Sequence, residues 1–495
     1  MNLGALSNSH PGARLHGPPD LEVLGLAYDS RMVTRGQLFA ALHGGKQDGL
    51  EFVKSAKRRG AVAVLSDRIP PLEMPWIEVA NPRQALADLA AAYFGKPADR
   101  LCLTGVTGTN GKTTTAFLID AGLRHASRIT GLMGTVETRI AGRPKSSSLT
   151  TPEALDLQAL LKEMVDERVT HATLEVSSHS LVQDRVRGLQ FKAAVFTNLT
   201  RDHLDFHGGF APYFEAKKLL FTRHLHPEGQ AIVNLDDEHG RLLAESLSSQ
   251  SCRTFGFTPG AHYRPEELEV SFEGVRFLCA TPEGPARVHS PLVGRFNVSN
   301  LLGAIGALMA LGLSPAEAAQ GVSSLEGVPG RMERVDAGQL FPVIVDYAHT
   351  DDALRNLLDT LRSLQPKRII TVFGCGGDRD RSKRPLMGSV AAQRSDLVIA
   401  TSDNPRSEPP NGILDEIAQG FKNHTTPFKL IADRREAIDT ALHAAQSGDL
   451  VVIAGKGHEG IQIIRDKRVP FDDRQVAREI LRDLVGKNGG PHARP

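Results

Sequence analysis

The sequence predicts an α/β protein of three domains, with a central P-loop ATPase-type parallel sheet linked by crossover helices and a Rossmann-like C-terminal domain. Three observations predict it. A glycine-rich run, Gly105-Val106-Thr107-Gly108-Thr109-Asn110-Gly111-Lys112-Thr113-Thr114, lies between an apolar stretch at 101–103 and an amphipathic stretch at 114–123. That is the strand, turn and helix of a phosphate loop. From residue 100 onward, short apolar runs alternate with helical patterns, as in parallel strands joined by crossovers. The 495 residues suffice for about three domains. Breaks rich in turn residues at 95–97 and 327–331 set the expected boundaries at 1–97, 98–330 and 331–495.

In the first domain, the run 61–65 reads as a buried strand, and 82–93 as a helix with Leu86, Leu89, Ala90 and Tyr93 on one face. In the second, a helix over 152–167 is expected to start at Thr151 as N-cap with Pro152 in its first turn. Strands follow at 172–176 and 193–197, and the apolar run 301–313 reads as a buried helix, too short to span a bilayer. The third repeats the pattern with strands at 343–345, 369–373, 397–400 and 450–454, and 489–495 reads as a disordered tail.

Lys plus Arg (58) balance Asp plus Glu (57), and aromatics make up 5%. Neither figure calls for nucleic acid or an acidic membrane surface. The four cysteines are scattered with no CxxC pair, which fits free thiols in a reducing compartment rather than a disulfide frame or zinc site. The first twenty residues lack an apolar signal-peptide core. A cytoplasmic monomer acting on small molecules is expected, with no nucleic-acid partner and no membrane insertion.

In the glycine-rich run, backbone N–H groups and the helix N-terminus form an anion site. Lys112 would neutralise the β- and γ-phosphates, and Thr113 would offer its hydroxyl to Mg²⁺. Strict phosphate-loop spacing wants glycine at 106, where this chain has Val; its glycines fall at 105, 108 and 111. Glu175, ending the strand at 172–176, stands where an acidic residue can share that metal. The loop 198–208 gathers His203, His207, Asp202 and Asp205 after the next strand. There His203 is a candidate metal ligand, against the alternative of a solvated polar loop. Lys217, in Ala216-Lys217-Lys218-Leu219-Leu220-Phe221, reads by itself as one charge on an amphipathic helix.

Taken together, the runs 105–115, 150–152, 175–179, 198–208 and Asp346-Tyr347-Ala348-His349 resemble the Mur ligases, ATP-dependent enzymes that add amino acids to the cell-wall peptide precursor. The resemblance covers about residues 20–485 and is nearest to members adding the third residue of that peptide. It implies ATP contacts at Gly108, Thr109, Asn110, Gly111, Lys112, Thr113, Thr114, Asn300, Arg331, Asp346 and His349. It implies a uridine-nucleotide site at Tyr28, Ser30, Gly45, Lys46 and Gln47, and a muramoyl-dipeptide cradle at Thr150, Thr151, Ser177, Gln183 and Arg185. It also implies that Lys217 carries a CO₂-derived carbamate, and that Thr113, Glu175, His203 and the modified Lys217 hold two Mg²⁺ ions. Lys112, Glu175, His203 and Lys217 are then the catalytic set, assembled as the last domain closes.

The run Asp403-Asn404-Pro405-Arg406 resembles members that add meso-diaminopimelate; those adding L-lysine usually lack the Arg. The physical reason is the second carboxylate of diaminopimelate, which a guanidinium holds through two charged hydrogen bonds. Arg379, Gly455 and Glu459 resemble the rest of that pocket. An L-lysine-adding relative, a folylpolyglutamate synthase and a non-catalytic nucleotide-binding switch or scaffold are the competing readings.

Overall fold

The computed structural model describes residues 1–44, 47–145 and 149–488. The expected contacts at Gly45 and Lys46, and the tail 489–495, lie outside them. The chain divides into two compact units: residues 1–265, 279–286 and 299–324 form one, and residues 266–278, 287–298 and those from 325 onward form the other.

Two sheets build the first unit. A five-stranded sheet runs in the order Arg14–His16, Trp76–Glu78, Ala63–Ser66, Gln37–Ala40, Gly25–Ala27, parallel except for its Arg14–His16 edge. Helix Pro82–Tyr93 covers it with the apolar face read from the sequence. Asn81 caps that helix by accepting from the amides of Arg83 and Gln84 at 3.0 and 3.3 Å, with Pro82 in the first turn.

The second sheet has eight strands, in the order Cys252–Phe255, Leu225–Asn234, Phe191–Phe196, Cys102–Thr107, His171–Glu175, Thr130–Met133, Thr138–Ile140, Arg143–Lys145. The first six are parallel and the last two turn back as hairpins. The central strands Cys102–Thr107 and His171–Glu175 are nearly all buried, because helices cover both faces of a parallel sheet. Their carboxyl ends point at one place, where ligands of such sheets bind.

Three local readings change. The strand before the glycine-rich turn runs on through Thr107, so Gly105 and Val106 belong to the sheet and only 108–111 is turn. Val106 is fully buried, and a Cβ at Gly105 would come within 3.0–3.2 Å of Phe191 and Leu220. The glycine there is a packing requirement of the strand. The helix expected over 152–167 spans Ala154–Asp166 with Glu153 at its N-cap position. Thr151 does not cap it, because its hydroxyl is engaged across the sheet end by Glu175 O at 2.8 Å and Ser177 N at 3.1 Å. The buried helix read over 301–313 begins earlier and spans Arg295–Ala310, so Asn300 sits inside it.

The second unit holds a six-stranded sheet in the order Glu333–Arg334, Val343–Asp346, Leu450–Ala454, Ile369–Cys375, Leu397–Ser402, Phe428–Leu430, parallel except for its first strand. Helices Asp351–Arg362, Lys383–Arg394 and Pro410–Ala418 pack one face through Leu354, Leu358, Met387 and Ile413. Helices Arg434–Ala444 and Asp473–Asn488 pack the other through Ile438, Leu442, Ala477 and Leu481. This is the expected doubly wound arrangement. No helix among the described residues is long and apolar enough to cross a membrane.

Candidate active site

In the first unit, the phosphate loop leaves the sheet at Gly108 and enters helix Lys112–His125 at Gly111, whose φ is +84°. A Cβ at Gly108 would fall 1.8 Å from Thr197 Oγ1, and one at Gly111 would fall 2.4 Å from Asn300 Oδ1. Both glycines are therefore fixed by close approach as well as by backbone angle. Asn198 clamps the loop from the next strand end. It accepts from Asn110 N at 2.9 Å and donates to Asn110 O at 3.2 Å, while its carbonyl takes Thr109 N at 2.9 Å. Lys112 Nζ bends back onto the carbonyls of Gly108 and Thr109 at 3.0 and 2.8 Å.

Glu175 lies beside Val106 in parallel register and is 1% exposed. Its carboxylate takes the hydroxyl of Thr113 at 3.0 Å, and the amide and hydroxyl of Thr135 at 2.9 and 3.1 Å. The Thr135 hydroxyl also meets that of Thr150 at 3.0 Å. A polar chain, buried at Thr113 and Glu175 and half-buried at Thr135 and Thr150, thus runs from the phosphate loop to the expected dipeptide cradle. Gly134 makes room for it, since a Cβ there would sit 2.2 Å from Glu175 Oε1. Thr135 was missed by sequence reasoning, although it follows a parallel strand end as Glu175 and Asn198 do.

The cradle is partly self-paired. Arg185 donates to Thr151 O at 2.9 Å and Gln183 Oε1 at 2.6 Å, and pairs with Glu153 at 2.9 Å. Its charge is balanced inside the protein rather than held open for a substrate. Ser177 closes the group through Thr151. Farther out, Tyr28 donates to Asp156 at 2.6 Å, Ser30 is buried and Gln47 is exposed.

Lys217 is 1% exposed and donates to Gly108 O at 2.7 Å, with its Nζ 4.5 Å from the centroid of the Tyr213 ring. Burial drives its pKa far below the ordinary lysine value, and nearby Lys112 pushes the same way. His203 occupies the left-handed region at φ +52° beside His179, their ring centroids 4.7 Å apart. Burial also lowers its pKa, so the imidazole is neutral and able to ligate. Among the described residues, no three His, Cys, Asp or Glu side chains converge on one metal position. Thr113 and Glu175 supply two adjacent buried oxygens, which suit a hard cation such as Mg²⁺.

In the second unit, the Asp346 carboxylate accepts from Met332 N at 2.7 Å and Ala348 N at 2.8 Å. Burial raises its pKa, opposed by Arg331. The Arg331 guanidinium lies 4.7 Å from the Tyr347 ring centroid, and His349 contacts Tyr347 O at 3.0 Å.

A second cluster forms after strands Leu397–Ser402 and Leu450–Ala454. Arg406 donates to Gly377 O at 2.8 Å, and Asn404 donates to Glu459 at 2.9 Å. Gly455, at φ +115°, donates to Asp346 O at 3.1 Å. Asp403 is buried, which raises its pKa, and Pro405 links it and Asn404 to Arg406. Arg379 is exposed on the neighbouring loop.

Comparison with known proteins gives a consistent result. Three family models match: "Mur ligase family, catalytic domain" over residues 22–94, "Mur ligase middle domain" over 106–308 and "Mur ligase, glutamate ligase domain" over 330–457. A protein of Solibacter usitatus (strain Ellin6076), named UDP-N-acetylmuramoyl-L-alanyl-D-glutamate--2,6-diaminopimelate ligase, is 50% identical over 97% of this chain and 98% of its own length. One of the same name from Gloeobacter violaceus (strain ATCC 29082 / PCC 7421) is 49% identical over 94% of each. A solved structure of a ligase of that name is 36% identical, with a TM-score of 0.70 over 98% of this chain and 100% of its own.

Proposed function

The chain belongs to the Mur ligase family, and from that premise we propose that it joins meso-2,6-diaminopimelate to UDP-N-acetylmuramoyl-L-alanyl-D-glutamate at the expense of ATP. The D-glutamate carboxylate takes the γ-phosphoryl group, giving an acyl phosphate and ADP. The α-amine then attacks the acyl carbon, the amide C–N bond forms, and phosphate leaves with the amine's proton passing to solvent. We assign the uridine nucleotide to residues 1–97, ATP to 98–330 and the amino acid to 331–495, in a monomer working in the cytoplasm.

The observation that carries this reading is the chain Thr113–Glu175–Thr135–Thr150. It fastens the nucleotide loop to the dipeptide cradle, as direct phosphoryl transfer between their two occupants requires. Thr113 and Glu175 would hold one Mg²⁺; Glu175, His203 and Lys217 as a carbamate would hold or border a second. When bound, the ions supply charge neutralisation at the phosphate oxygens. Lys112 would exchange the two loop carbonyls it holds for the phosphates. Asn300, whose Oδ1 accepts from Thr115 at 3.4 Å, would brace the loop from behind.

The test is phosphate release from ATP with the uridine-linked dipeptide and each amino acid in turn. Release with diaminopimelate and not with lysine is expected. Release with lysine alone overturns the choice of amino acid, and release with neither, despite nucleotide binding, favours a non-catalytic protein. Thr135→Val keeps the amide bond to Glu175 but removes both hydroxyl contacts. It is expected to lower kcat about tenfold while leaving the KM for diaminopimelate in place, and steady-state kinetics will check it.

A further inference from the structure

Lys456 is a fully buried lysine that the proposed chemistry does not use. Its ammonium donates to Ile461 O at 2.6 Å, Glu459 Oε2 at 3.1 Å and Asn404 Oδ1 at 3.3 Å, and lies 3.7 Å from Asp403. Asn404 in turn donates to the same Glu459 oxygen at 2.9 Å and accepts from Ile463 N at 2.9 Å. Gln462 adds a bond to Asp403 O at 2.8 Å, and Arg406 N donates to Ile463 O at 3.0 Å. The loop 403–406 and the segment 455–464, a turn running into strand Ile461–Ile464, are thus tied into one body, with Lys456 at the crossing.

We propose that Lys456 is the positioning residue of the amino-acid pocket, setting the spacing between the Glu459 carboxylate and the Arg406 guanidinium; this rests on the reading that diaminopimelate binds there. Diaminopimelate presents an ammonium and a carboxylate on one far carbon, a fixed distance apart. A site that reads both at once needs an anion and a cation held at the matching separation. Glu459 is partly exposed and on a turn, and would otherwise sample several rotamers. The bonds from Lys456 and Asn404 fix one carboxylate oxygen, which leaves the substrate ammonium to be met by the other. A buried charge is a costly way to brace a loop, and the ammonium's three donors are all spent on this one junction.

Lys456→Met keeps the stem volume and removes the ammonium. The expected result is a KM for diaminopimelate raised about tenfold or more, with kcat at saturation and the KM values for ATP and the uridine-linked dipeptide within about twofold. The preference for diaminopimelate over lysine should fall, since lysine offers nothing for the Arg406 half of the pair. An unchanged KM and preference in a folded variant overturns the inference, as does an equal loss for every substrate. If Lys456→Met does not fold, Gln462→Ala loosens the same junction from its rim and should raise the diaminopimelate KM in the same selective way; an unchanged KM there also overturns it. Failure of the parent reading looks different: the unaltered protein would itself release no phosphate with diaminopimelate.

Discussion

Replacing Lys217 with methionine is expected to lower the ligation rate at least about a hundredfold, the loss typical when one group stabilising transition-state charge is removed, while nucleotide binding persists. The expectation follows from where the amine is. It is sealed against Tyr213 and the Gly108 carbonyl, with no carboxylate among the described residues bonded to it, so burial favours the neutral form over the opposing charge of Asp202. A neutral amine is the species that adds CO₂. On carbamylation the nitrogen lone pair would form the N–C bond, one proton would leave, and a buried neutral group would become an anion with two oxygens beside the phosphate loop. Such a group suits Mg²⁺ as an amine does not. Methionine fills the same space, so a lost rate reports the missing chemistry rather than a cavity. Labelling with ¹³C-bicarbonate should give a carbamate carbon signal in the native protein and none in the variant. Full activity of Lys217→Met overturns the assignment.

The same burial has a consequence for stability. The folded-state pKa of Lys217 lies below the ordinary value of 10.5, so between the two the unfolded chain binds more protons than the folded one. Stability from this site therefore rises with pH across that window and falls as pH drops through it. Denaturant titrations from pH 7 to 10 without added bicarbonate should show that rise in the native chain and a flatter profile in Lys217→Met.

How much of this was legible in the sequence depends on the scale of the feature. The strands and the doubly wound last domain were legible because buried parallel strands are continuous apolar runs, and Leu450–Ala454 is found where it was read. The phosphate loop and Glu175 were legible because each sits at a strand's carboxyl end. What was hidden is pairing across the sheet. Thr151 looks like a helix cap by sequence, yet its hydroxyl serves Glu175 O, 24 residues away. Arg185 looks like a free cation, yet Glu153 pairs it. Thr135 follows a strand end as Glu175 does, but its role, like that of Lys456, arises only when distant strands bring its partners alongside.

Arg406 is the second residue whose loss should be large, and its effect should fall on choice of substrate rather than on rate in general. Its backbone adopts φ +50°, a left-handed conformation that costs a residue with a Cβ about 1–2 kcal/mol. The cost is met by bridging on both sides: Arg406 N donates to Ile463 O at 3.0 Å and Arg465 N to Arg406 O at 2.7 Å. Among the described residues the guanidinium bonds Gly377 O through Nη1, an arrangement that leaves Nη2 and Nε to meet a carboxylate. Arg406→Lys keeps a positive charge but loses the fork that meets two oxygens at once. The expected result is a fall of about thirtyfold or more in kcat/KM for diaminopimelate, corresponding to the lower end of the ~2–5 kcal/mol for breaking a buried charged pair. Lysine, with no far carboxylate, should lose little, so the ratio of the two kcat/KM values collapses toward unity. An unaltered ratio would show that the second carboxylate is read elsewhere, and Arg379 on the adjacent loop would then be the residue to change next.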